Sequence, residues 1–127
     1  MTAFRLTEVK ADLFHVPQTY SLAYTTNANF YEEKGKLAWK FGIIFGQHDE
    51  LSRRHICSGN VAVLEDNARF IYSLVTKDSM FYKSTYENVE SALICMRQHM
   101  VSEIVFVFVF FYHLFAVFYA LHYSFFA

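Results

Sequence analysis

The distribution of charge along the chain constrains its fold more than any other feature of the sequence. All 23 charged residues lie within residues 1–103, here named the body, whereas residues 104–127, here named the tail, contain none. Of the 24 tail residues, 11 are Phe or Tyr. Averages over the whole chain conceal this division, and we therefore consider a domain over 1–103 and an apolar tail over 104–127 separately.

The tail permits three interpretations. It is long enough to span a bilayer, which needs about 20 apolar residues, although no Lys or Arg follows it to set an orientation. Residues 105–110 alternate β-branched and aromatic side chains, a pattern typical of a strand buried on both faces of a sheet. The abundance of Phe, Val, Tyr and Leu would also arise from translated non-coding sequence, in which case the terminus is spurious.

Composition excludes several classes of protein. A chain of 127 residues corresponds to one domain, and a net charge of −1 argues against binding nucleic acid through phosphate contacts. Cys57 and Cys95 are too few for a disulfide scaffold, and with the scattered histidines they predict no metal site. Residues 1–8 lack the apolar core of a signal peptide, so we expect a location in the cytoplasm or nucleus, or at a membrane if the tail spans it.

The body alternates predicted strands and helices, which indicates an α/β domain. Strands are expected at residues 4–9, 20–26, 61–64 and 69–76, the last two forming a hairpin. Helices are expected at residues 33–45 and 49–55 and after a capping box that runs from Ser84 to Glu87. The helical periodicity of the first helix places four side chains on its buried face: Leu37, Phe41, Ile44 and Phe45.

Two polar side chains follow predicted strands. Asp12 lies in the loop after the first strand, and Lys77 comes directly after residues 69–76. Ligands of α/β domains bind beyond the carboxyl ends of the strands. There a carboxylate can accept hydrogen bonds from an exocyclic amine or a ribose hydroxyl, and a lysine can attack a sugar C1 as an amine nucleophile. The alternatives are a carboxylate that caps a turn and a solvated lysine.

Four stretches of the body carry its most specific patterns: residues 8–14, 58–64, 69–77 and 83–89. They resemble the macro-domain subfamily of terminal ADP-ribose protein glycohydrolases, also known as O-acetyl-ADP-ribose deacetylases. The first stretch resembles the family's "VKGDLF" loop, and the last two resemble its "LITK…TYEN" pattern. The resemblance covers about residues 4–100. It implies a macro-domain-like, three-layer α/β/α fold with a mixed sheet that is incomplete at the C-terminus.

The same resemblance implies a site and an activity. Asp12 matches the aspartate that binds the adenine amine, Leu13 matches the residue whose backbone faces the adenine ring, and Asn27 falls near the position that contacts the distal ribose. Lys77 matches the catalytic lysine, which attacks the distal ribose C1. The implied reactions are removal of ADP-ribose from glutamate or aspartate esters and deacetylation of O-acetyl-ADP-ribose. No cofactor is implied, the implied partners are ADP-ribose or ADP-ribosylated proteins, and we expect a monomer.

The sequence departs from the family at two loops. The glycine-rich "MGAGIA" loop falls on residues 33–38, where Lys34 and Lys36 stand in place of glycines. Nothing matches the later "PRIGCGLD" loop, which supplies an acid–base aspartate, and no Asp or Glu follows Glu103. Because general acid–base help is commonly worth about 10²–10⁴-fold, activity is left undecided. The alternatives are a non-catalytic ADP-ribose reader and a membrane-tethered protein anchored by residues 104–127.

Overall fold

The computed structural model describes residues 2–10, 12–103, 107–111 and 117–125. The strands within these ranges are β1 (Thr2–Lys10), β2 (Ser21–Asn27), β3 (Asn60–Asp66), β4 (Arg69–Lys77), β5 (Val107–Phe111) and β6 (Val117–Phe125). The helices are α1 (Leu37–Phe45), α2 (His48–Arg53) and α3 (Tyr86–Glu103), and a short 3-10 helix spans Leu13–His15. The predicted alternation of strands and helices in the body is therefore confirmed.

The strands form one mixed sheet in the order β1-β6-β5-β2-β4-β3. The central strand β2 pairs in parallel with β4 and with β5. β3 is antiparallel to β4, and β6 is antiparallel to both β5 and β1. As a result, β1, β5, β2 and β4 all run in the same direction. Their carboxyl ends meet at one end of the sheet, which we name the carboxyl edge.

Helices cover both faces of the sheet, as the alternation of strand side chains requires. On one face, Leu22, Tyr24 and Ile71 pack with Ala38 and Phe41 of α1. The α2 residue Leu51 lies on the same face, in a cluster with Phe30, Ala62 and Val75. On the other face, the strand residues Ala23, Tyr72 and Leu74 pack with Ala92, Met96 and Met100 of α3. The structure is thus a three-layer α/β/α arrangement, as predicted.

Helix α1 begins four residues later than the sequence predicts. Gly35 has a φ of +88°, a left-handed conformation that a helix cannot contain, and Lys36 N–H donates to Glu33 O in a turn. The prediction that Ile44 lies on the buried face is wrong, because its side chain is 53% exposed and Ala38 is buried instead. Gly46 ends the helix with a φ of +70°, a backbone conformation that favours glycine.

The helix cap of α3 is also shifted by one residue. Thr85 Oγ1 accepts the hydrogen bond from Asn88 N–H, and the helix begins at Tyr86. The prediction of Ser84 as the cap is therefore wrong. The Ser84 hydroxyl lies 2.7 Å from Thr76 Oγ1, and this hydrogen bond connects the start of α3 to the end of β4.

Two strands of the sheet come from the tail. β5 lies beside β2 and β6 lies between β5 and β1, which agrees with the predicted strand at residues 105–110 as far as the chain is described; residues 104–106 lie outside the described ranges. The division into a domain over 1–103 and a separate tail stays a prediction. No helix in the described part of the chain has the length and hydropathy to cross a membrane.

A series of buried hydrogen bonds connects α2 to the sheet. Tyr24 Oη accepts a hydrogen bond from Ser73 Oγ at 2.7 Å and lies 2.9 Å from His48 Nε2. Burial raises the pKa of the Tyr24 phenol well above its usual value, and the negative charge of Glu32 raises it further, against the effect of Ser73. Tyr24 therefore stays protonated and can donate to His48.

Burial also lowers the pKa of the His48 imidazole, although the charge of Asp49 opposes this shift. The unfolded chain consequently binds a proton at His48 more readily than the folded chain does, and stability must fall as pH drops below the ordinary histidine pKa of about 6.5. We expect the free energy of unfolding, measured in urea at about pH 7.5 and about pH 5.5, to fall more in the native protein than in His48→Gln. Equal losses in the two proteins would contradict this assignment.

Candidate functional site

The ends of β2 and β4 place two of the predicted site residues side by side. Asn27 and Lys77 are register partners, and Ala28 N–H donates to Lys77 O at 2.9 Å. The register between the two strands shifts after Thr26, because Thr26 pairs with Val75 and the next residue pairs with Lys77. This extra residue in β4 is a β-bulge, a device that redirects side chains and is common beside active sites.

Asn27 is fully buried and its side chain holds the following loop. The amide nitrogen donates to Tyr31 O at 2.9 Å and to Glu32 Oε1 at 2.8 Å. The amide oxygen accepts from Asn29 N–H at 3.0 Å. Both amide hydrogens are thus used inside the protein. The predicted contact of Asn27 with a distal ribose stays a prediction, and the observed role of the side chain is to shape the loop from residue 28 to residue 32.

The same loop contains a residue in an unusual conformation. Phe30 has a φ of +54°, which costs a non-glycine residue roughly 1–3 kcal/mol. Its ring is only 5% exposed, packs in a cluster with Leu51 and Val75, and meets the ring of His48 edge-on at 5.6 Å. Burial of the ring offsets the backbone strain. The turn that results brings Glu32 back to the end of β2, where Thr26 Oγ1 also donates to Glu32 Oε1 at 2.8 Å.

Asp12 lies two residues beyond the end of β1. One carboxylate oxygen accepts from Phe14 N–H at 3.0 Å and caps the short 3-10 helix. The other oxygen lies 2.7 Å from His15 Nδ1, and the carboxylate is about half exposed. The neighbouring Leu13 is 2% exposed and its side chain packs in the core with Phe41. The buried Leu13 side chain fixes the backbone of this turn, and the Asp12 carboxylate remains at the surface.

Lys77 is half-buried at the last position of β4. Among the described residues, its ammonium group has no hydrogen bond or ion pair. The adjacent Asp78 is exposed and its carboxylate accepts a hydrogen bond from Ser58 Oγ. The carboxylate next in sequence is therefore held by the loop before β3, and Lys77 is left available to a ligand at the carboxyl edge.

The two halves of the predicted site are far apart. Asp12 follows β1, whereas Lys77 ends β4, and β6, β5 and β2 lie between these strands. With about 4.8 Å between neighbouring strands, the two strand ends are separated by roughly 19 Å. Both lie at the carboxyl edge, as the sequence predicts, but only an extended ligand can contact both.

The loops around the carboxyl edge include Glu32, which the sequence analysis did not identify, and Lys34 and Lys36, which it did. Glu32 is identified only by its contacts, since nothing in the local pattern distinguishes it from Glu33. Lys34 and Lys36, which replace the expected glycines, are exposed. Within the described ranges, no group of three or more His, Cys, Asp or Glu side chains could hold a metal ion.

We expect Asn27→Ala to destabilise the fold by about 2–3 kcal/mol, because it leaves buried hydrogen-bonding groups of the loop without their partner. Asn29→Ala is the matched control, since its side chain is exposed and its loss should change stability by less than about 0.5 kcal/mol. Urea unfolding of both variants measures the difference. Similar stabilities for the two variants would show that the Asn27 amide does not hold the loop.

Comparisons with known proteins agree with this architecture. Over 95 residues the chain is 41% identical to the ADP-ribose glycohydrolase OARD1 of Homo sapiens and to that of Bos taurus. The match covers 75% of this chain but 62% of each relative, so the chain spans less than two thirds of the length of these proteins. No family model matches the sequence.

Solved structures show the same fold. The macrodomain of Thermus aquaticus DarG superposes with a TM-score of 0.65 at 22% identity, covering 76% of this chain and 69% of that one. The macrodomain of Mycobacterium tuberculosis DarG gives a TM-score of 0.64 at 19% identity, with coverages of 76% and 68%. The fold predicted from the sequence resemblance is confirmed, and sequence and structure together identify the chain as a macro domain.

Proposed function

We propose that this macro domain binds ADP-ribose and hydrolyses its esters. The substrates are ADP-ribose attached to glutamate or aspartate side chains and, by the same chemistry, O-acetyl-ADP-ribose. The observation that carries the proposal is the 41% identity over 95 residues to relatives named as ADP-ribose glycohydrolases. Those names favour hydrolysis over a non-catalytic reader and over a membrane-tethered role.

The placement of the polar side chains at the carboxyl edge supports this proposal. Asp12, at one end, presents a half-exposed carboxylate that can accept a hydrogen bond from the exocyclic amine of adenine. Lys77, roughly 19 Å away by strand spacing, lies where the distal ribose of an extended nucleotide would end. The Leu13 side chain is buried in the core and fixes the backbone beside Asp12, and in this proposal that backbone faces the adenine ring.

The proposed reaction uses Lys77 as the nucleophile. Its neutral amine attacks C1 of the distal ribose, the bond between C1 and the ester oxygen breaks, and the carboxylate leaves with the bonding electrons. The covalent adduct between Lys77 and the sugar then reacts with water, which frees ADP-ribose and restores the amine. Because the Lys77 side chain has no ion-pair partner among the described residues, no salt bridge must break before the attack.

The direct test is release of ADP-ribose from a peptide carrying ADP-ribosylated glutamate. We expect the native protein to release it and Lys77→Ala to be slower by at least about 10²-fold, because the nucleophile is lost. Lys83→Ala, which removes an exposed lysine of the next loop, should retain the native rate. Calorimetric binding of ADP-ribose without any release by the native protein would instead identify a non-catalytic reader.

The variant Asp12→Asn tests whether Asp12 recognises adenine without changing the stability of the fold. Asparagine still caps the 3-10 helix, but it lacks the charge that strengthens a hydrogen bond to the adenine amine. We expect the Kd for ADP-ribose, measured by calorimetry, to rise about tenfold with unfolding unchanged. Glu90→Gln, an exposed change on α3, serves as the control. Unaltered affinity in Asp12→Asn would remove this residue from the site.

A further inference from the structure

We propose that Glu32 is the acid–base partner of Lys77, an inference that rests on the proposed function. An amine that attacks a sugar carbon becomes a cation and must lose a proton before the adduct can proceed. A carboxylate placed near the amine can take this proton and later return it. Glu32 is a carboxylate that the fold holds at the end of β2, in contact with the residue that pairs with Lys77.

The position of Glu32 is fixed by contacts to one oxygen only. Thr26 Oγ1 and Asn27 Nδ2 both donate to Oε1, each at 2.8 Å. The other oxygen, Oε2, has no hydrogen bond within the described part of the chain. One oxygen therefore orients the carboxylate and the other is available for proton transfer. The group is half-buried, so a bound substrate could exclude water from it.

Glu32 contacts the residue that pairs with Lys77. Asn27 and Lys77 are register partners on neighbouring parallel strands, about 4.8 Å apart. Asn27 Nδ2 donates to Glu32 Oε1 at 2.8 Å, so the carboxylate lies at the same end of the sheet as Lys77. No Glu32–Lys77 ion pair forms among the described residues.

The proposed proton transfers balance in two steps. Attack by the Lys77 amine on C1 releases the substrate carboxylate and leaves a positively charged secondary amine, whose proton passes to Glu32 Oε2. In the second step, protonated Glu32 returns a proton to the Lys77 nitrogen as the bond from nitrogen to C1 breaks. The carboxylate thus regenerated removes a proton from the water that adds to C1. Glu32 then releases this proton to solvent, which restores the starting states of Glu32 and Lys77, and ADP-ribose is released.

A purely structural role is the alternative for Glu32, since its Oε1 joins β2 to the following loop. Glu32→Gln distinguishes the two roles, because the amide oxygen of glutamine can still accept from Thr26 and Asn27 but glutamine cannot take up a proton. Glu33→Gln is the matched control. It removes the same charge one residue later, from an exposed side chain without a hydrogen bond in the described ranges.

The experiment measures kcat, KM and the pH–rate profile for release of ADP-ribose from a peptide bearing ADP-ribosylated glutamate. We expect Glu32→Gln to lower kcat by roughly 10²–10⁴-fold, with KM and the unfolding transition close to native. The part of the pH profile that depends on an ionised carboxyl group should disappear. Glu33→Gln should match the native protein throughout. If Glu32→Gln is unstable, Glu32→Asp supplies the second measurement, with reduced kcat and the carboxyl-dependent profile retained.

The outcomes separate this inference from the proposed function. Native turnover that is lost in Lys77→Ala but unchanged in Glu32→Gln would overturn the role of Glu32 and leave the proposed function intact. A fall in kcat with an unaltered pH profile would reduce Glu32 to a structural residue. Absence of turnover by the native protein would overturn the proposed function and this inference with it.

Discussion

The parallel pairing of β2 with β4 is the interaction on which the candidate site depends. Its hydrogen bonds bring Asn27 and Lys77, 50 residues apart in the sequence, into register at the carboxyl edge. The bulge at Thr26 adds a residue to β4 at that point. Because each strand also packs helices on both faces, the geometry at the strand ends is set by the core rather than by the loops. The loops then place Glu32 and Asp78 relative to this fixed frame.

The tail determines the length of the proposed binding site. β5 and β6 lie between β2 and β1, and each adds about 4.8 Å between the strand that precedes Asp12 and the strand that ends in Lys77. Without these two strands, the ends of β1 and β4 would lie about 10 Å apart instead of roughly 19 Å. The apolar tail therefore contributes to the site through the spacing of the strands, although it has no charged residue of its own.

Close packing supports the loop that carries Glu32. The ring of Phe30 meets His48, which contacts the Tyr24 hydroxyl, and that hydroxyl accepts from Ser73 on β4. A Cβ at Gly42 of α1 would lie 2.6 Å from His48 Nδ1, so α1 and α2 leave no space for the imidazole to move there. The contacts link both helices of one face to β2 and β4. Buried polar groups satisfied in this way specify one arrangement of the loop, because any other leaves them unpaired.

The sequence by itself determined the class of fold and the positions of Asp12 and Lys77 at strand ends. These properties follow from local periodicity and from stretches that resemble a family, so they can be predicted from residues that are close together in the sequence. The sequence did not reveal the start of α1, which depends on the left-handed backbone of Gly35. It also did not reveal the cap of α3, because the Ser84 hydroxyl bonds to Thr76 instead of capping the helix. Only the tertiary structure singled out Glu32, because its position depends on hydrogen bonds from Thr26 and Asn27 across a turn whose strain the packing of Phe30 offsets.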